Sequence, residues 1–391
     1  MSNIQVSVRI PPKLYEKLLA HTNAVGLPKS KVITQALSQY LEKDEKEKPS
    51  SDSMEERLLK VEKRLNRLES SSTVDKPSEV IVEQEKKKKS PPTLSFKTPP
   101  LQEFFFERPI VDKTGTILKR VKGESQCFKE ELGDGNSLEM IYIPGGTFMM
   151  GSTPDEPGSQ VCEQPQHSVT LDGFFLGKFP VTQKQWEMVA QYPKVSRDLI
   201  VEPSSFKGSD RPVESISWED AVEFCDRLTQ YTQRPYQLPS EAQWEYACRG
   251  GSTTPFYFGP TLTGDLANYM AKRLYAGESS SIYRQETTSV SAFYPNPFGL
   301  YDLHGNVWEW CADAWYSTYE NASSSGTPRS SSQQETRRVL RGGSWDEDAY
   351  HCRCASRYAY HPQGVGVSQI GFRVMLMASS PDKTNIPSPK E

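Results

Sequence analysis

FGLYDLHGNVWEW (residues 298–310) and RGGSW (residues 341–345) decide how the C-terminal two-thirds of this 391-residue chain folds. Both set tryptophan among glycine and short polar residues. Trp308, Trp310 and Trp345, with Trp244 upstream, are large apolar bodies whose indole N–H needs a partner. That combination belongs at the centre of a core built largely from loops. Gly342 and Gly343 permit a backbone turn that a Cβ would forbid.

Outward from these stretches, from Phe104 onward, the chain mixes aromatics, Gly and Pro turns and short apolar runs. Helices are predicted around Trp218–Tyr231 and Glu241–Arg249. The second starts at Leu238-Pro239-Ser240, with Ser240 as N-cap and Gln243 as its capping-box partner. Phe104 to Arg120 predicts a hairpin turning near Thr114-Gly115. Few helices among many short strands make an α+β domain, assigned to residues 103–378.

The N-terminal third has a different texture. Ile4, Val6, Val8 and Ile10 alternate with Gln5, Ser7 and Arg9, the period of a half-buried strand, and two helical faces follow. A strand and two helices in about 40 residues cannot bury a core alone. This order, residues 1–48, resembles the ribbon-helix-helix family, in which two chains pair. The resemblance implies a homodimer, with Gln5, Ser7 and Arg9 in a DNA groove and Lys29 and Ser30 on phosphate. The plainer reading is a dimerisation module that touches no DNA. Met54, Leu58, Val61, Leu65 and Leu68 form a two-heptad seam, giving a short coiled coil over 50–70. Ser, Pro and a lysine run mark 71–102 as a disordered linker, and 379–391 reads as a tail of the same kind.

The formal net charge of -4 selects no partner. The start lacks a secretory apolar stretch, and no apolar run approaches the roughly 20 residues that cross a bilayer, so a cytoplasmic protein without membrane contact is expected. Seven cysteines scattered through a large domain read as buried hydrophobes or free thiols.

Ordered blocks then carry a resemblance. They are MIYIPGGTFMMGS (140–152), PQH (165–167), FPVTQ (179–183), RPVESISW (211–218), QLPSEAQWEYA (237–247), the two opening stretches, and IGFRV (370–374). In this order they resemble the sulfatase-modifying-factor, or formylglycine-generating-enzyme, family. The resemblance implies a C-type-lectin-like fold. It also implies a structural Ca²⁺ on Asp302, Gly305, Val307 and Glu309, and two carboxylates with carbonyls are sensible chemistry for that ion.

The family's oxidase uses two cysteines that bind Cu(I) shortly after the GGS motif. Here Glu347 stands where the first would be and Cys352 where the second would be. Cys352-Arg353-Cys354 offers weak catalytic candidates in their place, at an awkward bite for copper. A copper cofactor and catalysis are therefore not expected.

The same C-terminal segment also resembles the variable proteins of diversity-generating retroelements, in which a fixed framework displays a diversified patch. Arg341 to Trp345, Cys352, Arg353, Ala355, Arg357, Pro362 and Ile370 to Arg373 match that framework. Between them lie Asp346, Asp348, Tyr350, His351, Ser356, Tyr358, Tyr360, His361, Val367 and Ser368, rich in the residue types of a paratope. The expectation is a non-catalytic protein that binds a protein or other macromolecule through residues 346–368. A formylglycine-generating oxidase and a DNA-binding regulator with a ligand-sensing C-terminal domain are the alternatives.

Overall fold

The computed structural model describes residues 99–272, 275, 282–330, 336–364 and 366–378. The expected N-terminal module with Gln5, Ser7, Arg9, Lys29 and Ser30, the coiled coil and the C-terminal tail lie outside the described residues, as does the linker up to residue 98.

An antiparallel sheet opens the domain. Strands β1 (Gln102–Val111) and β2 (Ile117–Gly133) form the predicted hairpin, turning through residues 112–116, where the Asp112 carboxylate accepts from the N–H groups of Thr114 and Thr116. The expectation stopped β2 near Arg120; it runs 13 residues further to pair with β3 (Asn136–Ile143). Along that extension Phe128, Glu130 and Leu132 are buried while Lys129 and Glu131 are exposed, the two-residue period of a one-sided strand. Strands β4 (Gly146–Met150) and β5 (His167–Leu171) pair separately. Strand β6 (Phe174–Gly177) joins the first sheet, whose order β1-β2-β3-β6 is completed by β11 (Met375–Met377).

Helix α1 (Gln183–Ala190) was not anticipated; Thr182 caps it in a full capping box with Gln185. Helices α2 (Trp218–Thr232) and α3 (Glu241–Arg249) fall where expected, and Ser240 and Gln243 exchange both capping-box bonds. α1 and α2 pack against the sheet through Trp186, stacked on Phe224 at 5.6 Å, with Phe372 edge-on to Phe224 at 5.2 Å. All three rings are buried, each contributing about 1.5–3 kcal/mol or more of transfer free energy.

A four-stranded sheet carries the C-terminal half, in the order β10 (Ile370–Gly371), β7 (Trp308–Ala314), β8 (Arg338–Arg341), β9 (Arg357–Tyr360). β10 runs parallel to β7 and the other pairs are antiparallel. The segment 342–356 is thus a long connection between neighbouring strands. Its first turn is set by Gly343 at φ +75, where a Cβ would meet the Cys352 Sγ at 2.5 Å and its Cα at 3.0 Å. Among the described residues no helix is long and apolar enough to cross a membrane.

Candidate functional site

Four arginines from the C-terminal segment are buried, and each meets a carboxylate from elsewhere in the chain. Arg353 binds Glu163 through two nitrogens, at 2.6 and 2.9 Å, and Glu156 at 2.6 Å. Arg357 grips Glu241 at 2.5 and 2.8 Å, and Arg373 grips Glu309 at 2.6 and 2.7 Å. Arg341 pairs with Glu245 and donates to the Ser356 carbonyl. Such forked pairs fix position as well as charge, so the 342–357 connection is held on both of its flanks. The four tryptophans do what their chemistry requires. The indole N–H donates to Glu309 from Trp244 (2.7 Å), to Glu347 from Trp308 (3.4 Å), to the Ile216 carbonyl from Trp310 (3.3 Å) and to the Ser368 carbonyl from Trp345 (3.1 Å).

On that frame, residues 346–368 divide. Cys352 to Arg357 are buried, whereas Asp346, Glu347, Tyr350, His351, Tyr360, Val367 and Ser368 are half-buried and Tyr358 and His361 are exposed. Two of the expected ligand residues do not reach a surface. Ser356 faces inward under the Arg341 bond, and Asp348 is buried with its carboxylate on the His351 ring at 2.9 Å. Several of the accessible positions lie close together. Tyr358 stacks on the Trp308 ring at 5.6 Å, Trp308 reaches Glu347, and Glu347 lies 3.4 Å from His351. Asp346 accepts from Gln369 at 3.3 Å and from the Tyr283 hydroxyl, and the Tyr283 ring lies parallel to Trp345. Sequence reasoning missed Tyr283 and Gln369 and read Glu347 as the position of an absent cysteine.

The patch is acidic and titratable. Its Asp348 hydrogen bond holds His351 above its ordinary 6.5 against the opposing pull of burial, and Glu347 adds to the rise. Burial pushes the Glu347 carboxyl up. A histidine raised in the folded state adds stability that is complete below the unfolded value and is lost as pH rises through the folded one. His351→Gln is therefore expected to lower the melting temperature in buffers below pH 6.5 and to converge with wild type in alkaline buffer; equal losses at both pH values would contradict this pairing.

The other predicted sites fare differently. Asp302 is buried, its carboxyl raised to about 6 chiefly by burial, and accepts from the Ser291 N–H at 3.0 Å. Gly305 and Val307 lie on the approach to β7. Glu309 has both oxygens on Arg373, and one also takes the Trp244 N–H. The oxygen chemistry suits Ca²⁺, and a cation at Glu309 would compete with the buried Arg373 guanidinium for that carboxylate. Cys352 and Cys354 do not form a pair site. They sit in a turn rather than a strand, and they pack into separate cores, Cys352 beside Phe256 and Ala349, Cys354 beside Cys248 and Leu303. Both are fully buried, and Glu347 supplies no thiolate.

Fold and frame together define a loop-rich, C-type-lectin-like α+β domain of the formylglycine-generating-enzyme kind. Residues 128–378 match the Sulfatase-modifying factor enzyme 1-like domain, and the chain belongs to that family. Serine/threonine-protein kinase pkn1 of Chlamydia pneumoniae is 32% identical over 257 residues, covering 60% of this chain and 37% of the kinase. The chain spans 37% to 45% of the length of the chlamydial kinases it matches. Inactive C-alpha-formylglycine-generating enzyme 2 of Bos taurus is 29% identical over 301 residues, covering 64% of this chain and 92% of that protein. Among solved structures, PvdO from Pseudomonas aeruginosa superposes with a TM-score of 0.54 at 28% identity, over 64% of this chain and 98% of that one. Treponema denticola variable protein 1 gives 0.51 at 25% identity, over 64% and 99%.

Proposed function

We propose that this protein is a non-catalytic binder that presents residues 346–368 as a variable recognition surface for a protein or other macromolecule. One observation carries the reading: the segment separates into a buried, ion-paired frame and an accessible patch rich in Tyr, His and acids. Residues that carry the frame thus alternate with residues whose side chains reach the surface. Tyr358, 47% exposed at the centre of the patch, has the rigid amphipathic ring that paratopes favour. Similarity to a variable protein and to an inactive formylglycine-generating relative supports the same reading.

The test randomises Asp346, Tyr358, Tyr360, His361 and Ser368 in a displayed library and selects against a folded protein such as lysozyme. Binders that keep the parental melting temperature are expected. In any selected binder that retains Tyr358, Tyr358→Ala should cost about 0.5–1.5 kcal/mol of stability through loss of the Trp308 stack and about 2 kcal/mol or more of binding. A library that loses its fold at these positions would defeat the proposal. The oxidase alternative predicts conversion of a sulfatase-motif peptide cysteine to formylglycine with copper and oxygen; we expect the peptide mass to stay unchanged. The Arg373 pair carries a second expectation: melting curves in excess Ca²⁺ and in EDTA should superimpose, and a calcium-dependent rise would show that Glu309 releases its arginine.

A further inference from the structure

Three soft or borderline donors meet in the core, away from the patch. Cys248 lies in the last turn of α3, His304 in the loop before β7, and Cys354 in the turn held by the neighbouring Arg353. All three are buried, at 0%, 2% and 0% exposure, and one ligand atom from each falls within 4.8 Å of the others. The two Sγ atoms are 3.6 Å apart.

We propose that Cys248, His304 and Cys354 form a structural site for one thiophilic d¹⁰ metal ion, monovalent copper or zinc. Two sulfurs and an imidazole nitrogen are the donor set such ions select. The imidazole is already oriented for the role. Its Nδ1 lies 2.7 Å from the Cys352 carbonyl, which can only accept, so Nδ1 carries the hydrogen and Nε2 holds the lone pair. A ring nitrogen anchored on a backbone carbonyl is the usual outer-shell arrangement for a metal-bound histidine. The Tyr257 N–H, 3.1 Å from Nε2, is what the ion would displace. An apolar wall excludes water, with Tyr257 stacked on His304 at 4.5 Å and Phe256 edge-on at 5.3 Å.

Three donors suffice for monovalent copper; zinc would need a fourth.

The test uses the full chain, purified under reductant. Copper(I) or zinc is added anaerobically, stoichiometry is read by native mass spectrometry, and X-ray absorption reports the donors. One ion per chain with two sulfurs and one nitrogen is expected, and the absorption edge and any fourth donor identify the metal. Cys248→Ser and Cys354→Ser should each weaken binding by more than the 10- to 100-fold typical of losing an outer-shell partner, whereas Cys352→Ser should retain the ion. Because a core variant can fail to fold, the wild-type spectrum decides independently. No bound ion, an ion without sulfur donors, or a Cys248–Cys354 disulfide in protein alkylated inside the cell would each overturn the site.

Discussion

Arg353→Ala is expected to lower the unfolding free energy by about 3–5 kcal/mol, the cost of leaving a buried partner charge uncompensated. The guanidinium is fully buried, spans Glu163 and Glu156, and also donates to the Gly158 carbonyl at 2.7 Å. Losing it strands the Glu163 carboxylate, which is itself fully buried and, among the described residues, is otherwise met by the Ser152 hydroxyl at 2.6 Å. Against the 5–15 kcal/mol by which whole domains are stable, this is a large fraction. The penalty belongs to the orphaned charge, so Arg353→Met combined with Glu163→Gln should recover most of it. Denaturant titration of both variants separates the possibilities. A loss of only 0–1 kcal/mol for the single change, the range of a surface pair, would show that the pair is not buried in solution.

Trp244→Ala should be comparably severe, about 3–5 kcal/mol for a large aromatic removed from a packed core. The ring is fully buried on α3, and its edge lies 3.0 Å from the position of a Cβ at Gly342, so it fills the space that the Gly342-Gly343 turn leaves open. Its N–H also serves Glu309 at 2.7 Å. Trp244→Phe keeps much of the volume and loses the donor. An intermediate loss for Phe would apportion the effect between packing and the hydrogen bond, whereas full tolerance of Ala would show that the neighbouring loop collapses into the gap.

The fold was legible where a residue's demand is local. Ser240 with Gln243, the aromatic helical face after Trp218, and the turn near Thr114-Gly115 all signal within a few positions, and each element appears where expected. Thr182 with Gln185 carries the same signal, yet α1 is only eight residues long, too short for its apolar period to stand out. The long extension of β2 was hidden because its inward row includes Glu130. A charged residue breaks the alternation on paper and is satisfied in space by Arg234 at 3.0 Å and Tyr236 at 2.8 Å.

The candidate site was legible as a framework and not as a geometry. The arginines following RGGSW could be picked out, but the glutamates that receive them lie between 64 and 197 residues away. Tyr283 joins the patch across a similar gap, and nothing in its neighbours announces that. Ser356 and Asp348 shared the residue types of a binding surface, yet the direction of a side chain within an irregular turn has no period to read.

The placement of the four arginines has a consequence for biosynthesis. Glu163, Glu241 and Glu309 leave the ribosome well before Arg353, Arg357 and Arg373, their opposite charges. Until that last stretch is made, the interior holds anions with no counterion and cannot close. Acquisition of the native state is therefore a late event, governed by long-range closure rather than by the early hairpin, and a chain halted before Arg341 would remain a substrate for chaperones and proteases.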